Sequence, residues 1–105
     1  MCGRGLVREQ RGAPWGWSLH HRAPRQMGGS TLWWINLPAN LVLLCGSGTT
    51  GCHGYVESHR EHGEERGFLV RRGVMLPHHI PIAHFIYGVV YLNNRGTVSS
   101  VPPED

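Results

Sequence analysis

The sequence predicts an α+β fold built as one small domain. Three observations carry that reading. Trp17–His21 and Leu41–Leu44 are short apolar runs of strand length. His53–Arg66 is polar, starts near Cys52 and stops at Gly67, as a helix does. Phe68–Val74 and Phe85–Asn93 then read as further short strands, with a hairpin or a small antiparallel set at the C-terminal end. A chain of 105 residues suffices for one such domain and not two.

Taken in order, residues 1–16 form a basic, Gly-rich segment. In the first strand, His20 and His21 point to opposite faces, because side chains alternate. Arg22–Pro38 is a long connection, broken by Pro24 and by Gly28-Gly29. Within it Trp33-Trp34-Ile35 is either a small local core or a surface that stacks on a partner. Pro38 favours a turn into the second strand, and Asn40 precedes that strand. The helix has a thin apolar face of Tyr55 and Val56, and Arg60 and Glu64 are spaced to pair along it. Met75–His84 reads as a loop, and its His78, His79 and His84 as loop or surface residues. Asn93-Asn94-Arg95-Gly96 is a turn signal before a short returning strand at Thr97–Ser99. Residues 101–105 are expected to fray.

All ten basic residues are Arg, and the formal net charge is +3. Guanidinium forks suit phosphate oxygens, so nucleic acid is a reasonable partner, although base composition of the genome also produces a Lys-free chain. Three Cys, an odd number, argue against a full disulfide framework, with a Cys45–Cys52 disulfide open to the chain in an oxidising compartment. No apolar run approaches the ~20 residues that span a bilayer, and no signal peptide is visible at the N-terminus. A soluble, cytoplasmic, reduced protein is therefore expected, and there Cys clusters read as metal ligands before disulfides. Eight His in a chain this short point to metal or acid–base chemistry.

The densest chemistry lies in Leu43–Arg60, LLCGSGTTGCHGYVESHR. Cys45 and Cys52 flank a six-residue Gly/Ser/Thr loop, and His53 follows at once. That loop has no apolar side chain to bury. Something other than a core must order it: a metal on the two thiols is one candidate and a helix start at His53 is another. His59 lies six residues past His53, roughly 120° off the ideal face. Metal ligand, phosphate contact and plain surface residue all stay open for it.

The blocks WSLHHRAPRQMGGS (17–30) and PANLVLLCGSGTTGCHGYVESHR (38–60) together resemble the HNH endonuclease family, above all the small HNH proteins of phages and actinobacteria. The resemblance implies a ββα-metal (His-Me finger) core over 17–67 and a β extension over 68–100. It implies His21 as the general base that activates water, since an imidazole titrating near about 6.5 suits that task. His20 and His53 become ligands of one divalent ion (Mg, Mn, Ni or Zn), and Asn40 becomes the central Asn that braces the loop carrying the base. Arg22 and Arg25 become phosphate contacts. Double-stranded DNA is the implied partner, with phage packaging machinery a further expectation, in a bacterial host and without a membrane.

Zinc-containing relatives also hold a structural ion on two Cys pairs. Cys45 and Cys52 supply one pair here, and Cys2 alone stands for the other. Its partner would lie before Met1, so the expectation is either a late start or an incomplete knuckle. The alternative function is a truncated or inactive zinc-stabilised domain that binds DNA or another partner.

Overall fold

A computed structural model describes residues 1–3, 5–23, 32–71 and 76–103. Over these described residues the protein is α+β, with two helices and two antiparallel sheets. The first sheet is a hairpin of β1 (Trp17–His21) and β2 (Leu41–Cys45), with Trp17 opposite Cys45 and His21 opposite Leu41. Helices α1 (Gly51–Ser58) and α2 (Arg60–Glu65) follow. The second sheet is a meander of β3 (Ile82–His84), β4 (Gly88–Leu92) and β5 (Val98–Ser99).

Two apolar clusters hold these layers. Leu44 of β2, Val56 of α1, Ile82 of β3 and Val90 of β4 close around Phe68 and Leu69. Each such side chain contributes about 1.5–3 kcal/mol by leaving water. The second cluster joins Ala23, Trp34, Ile35 and Val70. The Trp33-Trp34 pair is thus split: Trp34 is core, while Trp33 is 69% exposed.

Four elements differ from their sequence-based expectation, the first being Ile82–His84, expected as part of a loop over Met75–His84 and here strand β3 paired to β4. The single helix over 53–66 is two helices, broken at His59 (φ −124°, ψ 62°). The Ser58 hydroxyl donates to the carbonyls of Gly54 and Tyr55, which competes with the helical ladder at that point. Arg60 accordingly pairs back to Glu57 at 3.3 Å, while Glu64 pairs with Arg71.

Phe68–Val70 is not a strand. The Phe68 and Leu69 amides donate back to the Gly63 carbonyl, and the Val70 amide donates to the Arg22 carbonyl. The remainder of that expected strand, 72–74, lies outside the described residues. So do Arg25 and the final two residues of the expected frayed tail.

Phe85–Tyr87 is a turn and not strand, because His84 Nδ1 accepts the amides of Ile86 and Tyr87. His78 also departs from expectation. It is 2% exposed, in a short 3-10 turn (Pro77–His79), with its ring 4.1 Å from that of His79.

The largest correction concerns Arg22, expected as a phosphate clamp. Its side chain is fully buried. Nε donates to the Gly67 carbonyl, one terminal nitrogen to those of Ala39 and Pro77, and the other to that of Ile80, at 2.7–3.0 Å. Burial lowers its pKa to about 10, still far above neutrality. Its four bonded N–H groups are thus spent on backbone carbonyls from three other segments of the chain. Replacing Arg22 by Met strands those acceptors in a dry interior. The expected loss is on the order of 3 kcal/mol or more, read as a lower urea midpoint with unchanged slope.

Candidate metal centre

The site is built where β1, β2 and α1 meet. His20 and Ser18 share one face of β1, two residues apart. His53 and Glu57 share one face of α1, four residues apart. His20 Nδ1 lies 3.6 Å from Glu57 Oε1, and His53 Nε2 lies 3.8 Å from the same oxygen. One ligand atom from each of the three lies within 4.8 Å of the others.

Hydrogen bonds set both imidazole tautomers. His20 Nε2 lies 2.6 Å from the Phe68 carbonyl, which can only accept, so Nε2 carries the proton. The Nδ1 lone pair is left facing Glu57. The Ser18 hydroxyl donates its one proton to the Gly46 carbonyl at 2.8 Å. It must then accept from His53 Nδ1 at 2.5 Å, which leaves the Nε2 lone pair of His53 facing the same point. Burial holds both imidazoles below their ordinary pKa, opposed at His20 by the Phe68 bond and at His53 by Glu57. Two neutral imidazole lone pairs and a carboxylate therefore converge. Bonds of ~2.0–2.2 Å to one ion would need only a slight inward movement of the three.

His21 is not a member of this trio, and its Nε2 lies 2.8 Å from Asn36 Oδ1. Asn40 is fully buried. Its Oδ1 accepts the Ala23 amide at 2.8 Å, and its Nδ2 donates to the carbonyls of Ala23 and Ile35. It ties the segment leaving β1 to the turn over 33–36. His59 does not join the trio. Past the helix break its ring stacks on Tyr55 at 4.1 Å, and its Nδ1 contacts the Tyr55 carbonyl.

The third member is Glu57, which sequence reasoning missed. The signal was there, since a carboxylate four residues after a His on a helix shares its face. Ser18 was legible in the same way, two residues before His20 on a strand.

The thiols form a second group, with Cys2, Cys45 and Cys52 Sγ atoms within 4.8 Å of one another. Cys2 Sγ lies 3.6 Å from Cys45 Sγ, and the Cys52 amide donates to Cys45 Sγ at 3.2 Å. Burial first, and then the two neighbouring thiols, push Cys52 up to about 12. The donor set fits a thiophilic ion such as Zn²⁺, whose charge would offset the thiolates.

The loop between Cys45 and Cys52 orders itself through hydroxyls. The Ser47 amide donates to Thr50 Oγ1, and that hydroxyl donates to the Pro14 carbonyl. Gly46 turns the chain at φ +87°, where a Cβ would lie 2.0 Å from the Thr50 carbonyl oxygen.

Comparison with protein-family models, curated proteins and solved structures finds no match for this chain.

Two outcomes are expected. Ser18→Ala frees the His53 tautomer and weakens Co²⁺ or Zn²⁺ binding at the His/Glu group by roughly 10- to 100-fold, read by calorimetry on protein with the thiols blocked. In metal-free, reduced protein at pH 8, Cys52 is alkylated more slowly than Cys2. Peptide mass spectrometry over time reads the order, since thiolate is the reactive form.

Proposed function

We propose that this chain is a metal-dependent HNH endonuclease that hydrolyses phosphodiester bonds in DNA. The observation that carries the reading is the convergence of His20 Nδ1, His53 Nε2 and Glu57 Oε1, with a second imidazole, His21, next in the chain to the first. The order β1, β2, α1 of the contributing elements supports a ββα-metal core of the His-Me finger kind. The resemblance of residues 17–30 and 38–60 to small HNH proteins supports the same reading.

His20, His53 and Glu57 would hold one divalent ion. Two imidazole donors favour Zn or Ni, the carboxylate also admits Mn, and Mg prefers an all-oxygen shell. A bound ion supplies Lewis-acid stabilisation of the charge that develops on the phosphate and on the leaving 3′ oxygen. His21 takes the proton of the attacking water, through the ring nitrogen that Asn36 does not occupy. Asn40 keeps the end of β1 in place by bonding both polar groups of Ala23. Arg60 binds the outer oxygen of Glu57, leaving Oε1 directed at the imidazoles. With Arg22 buried, phosphate contact falls to exposed arginines, which give affinity without reading sequence. Double-stranded DNA in a bacterial cytoplasm, with a phage or prophage origin and a link to packaging, completes the proposal. Among the described residues no helix is long and apolar enough to cross a membrane.

The three-thiol group favours a second reading, a zinc-stabilised domain that binds DNA without cutting it. Plasmid nicking separates the two. The full chain is expected to nick supercoiled plasmid with Mn²⁺ or Ni²⁺, and His21→Ala to slow this by ~100-fold or more. Glu57→Gln should raise the metal concentration required. An intact plasmid with every ion leaves the second reading standing. A His21→Ala variant as fast as the parent removes His21 as the base.

A further inference from the structure

His21 is the last residue of β1, and its ring is held by a side chain and not by backbone. Its Nε2 lies 2.8 Å from Asn36 Oδ1. An amide oxygen only accepts, so Nε2 must carry the proton. The lone pair of the neutral ring is then on Nδ1, the nitrogen that Asn36 leaves open.

Asn36 is itself exposed, yet its backbone is firmly placed. It sits between Ile35, which is 2% exposed, and a second turn leading to Pro38. The Ile35 amide donates to the Leu32 carbonyl, and the Leu37 amide to that of Trp34. The Ile35 carbonyl accepts from Asn40 Nδ2 at 2.8 Å. The buried Asn40 thus locks both ends of the contact: Ala23 just after His21, and Ile35 just before Asn36.

Resting on the nuclease reading, we propose that Asn36 is the positioning residue of the general base: it sets the tautomer and ring orientation of His21 and presents unprotonated Nδ1 to the attacking water. The acceptor makes this role specific. A donor at position 36 would place the proton on Nδ1 and leave the ring unable to take another from water. An apolar side chain would let the ring rotate and divide between tautomers. A carboxylate would keep the acceptor and hence the tautomer. Asn36 is exposed and belongs to neither the metal group nor the apolar clusters, so its loss should act on turnover and leave folding and metal affinity intact.

The test has two arms on the full chain. The first is long-range ¹H–¹⁵N correlation NMR of the imidazoles in metal-free protein, which reads tautomers without any activity. His21 is expected as the Nε2–H form in the parent and in Asn36→Asp, and as a mixture in Asn36→Leu. The second is plasmid nicking with Mn²⁺. Asn36→Leu should lower kcat by roughly 10- to 100-fold with KM little changed, and Asn36→Asp should recover most of that loss. Unchanged His20 and His53 tautomers in Asn36→Leu would show the site still folded.

An Nδ1–H form of His21 in the parent overturns the proposal. So does an unchanged His21 tautomer in Asn36→Leu, or parent-like nicking by that variant. A parent that never nicks removes the nuclease reading and the catalytic consequence together. The NMR arm then still decides whether Asn36 sets the tautomer.

Discussion

One buried guanidinium organises the chain. Arg22 leaves β1 and turns inward, where it meets the carbonyls of Ala39, Gly67, Pro77 and Ile80. None of these four residues lies in a sheet or a helix, apart from short 3-10 turns. Irregular backbone carries unpaired carbonyls, and burying them without donors is costly. A single planar fork with four donors in use satisfies four of them at once. It brings the segment after α2 and the segment before β3 to the end of the first hairpin. Charge is tolerated there because carbonyl dipoles surround it.

The metal group depends on that arrangement. Arg22 bonds the Gly67 carbonyl, and the very next residue, Phe68, offers the carbonyl that accepts from His20 Nε2 and so keeps the proton there. Phe68 is also at the centre of the first apolar cluster. The tautomer of His20 on β1 is thus set by packing beyond α2. His53 depends on a different support, the Ser18 hydroxyl, which is itself held by Gly46 in the loop between the thiols. The two cysteines of that loop and the two imidazoles therefore share a joint. Cys52 and His53 are neighbours on α1 that turn to different groups, one toward sulfur and one toward the imidazole and carboxylate.

Much of this was readable from residue order. Strand alternation put His20 and His21 on opposite sides, and they do serve different neighbours, Phe68 and Asn36. The helix start beside His53 was expected, as was the turn at Asn93–Gly96, where the Asn93 side chain accepts the amides of Arg95 and Thr97. The misreadings have local causes. A Phe-Ile-Tyr run at 85–87 has strand composition, but its amides are captured by the His84 ring. The single helix over 53–66 overlooked how a serine hydroxyl competes for helical carbonyls. Arg22 next to two His looked like a surface clamp because short-range pattern carries no information on which way a long side chain turns.

What the sequence by itself determined is local: the two strands, the helix start, the thiol spacing and the opposed faces of His20 and His21. These depend on period, turn chemistry and residue type within a few positions. Tertiary structure decided that Glu57, on the helix face of His53, also reaches His20 while His59 does not, and that Cys2 reaches Cys45 across 43 positions of chain. It also decided that Arg22 is spent on backbone and that Phe68 sets the tautomer of His20. Each of these is a contact between segments distant in the chain, and only the packed core brings such segments within hydrogen-bonding distance.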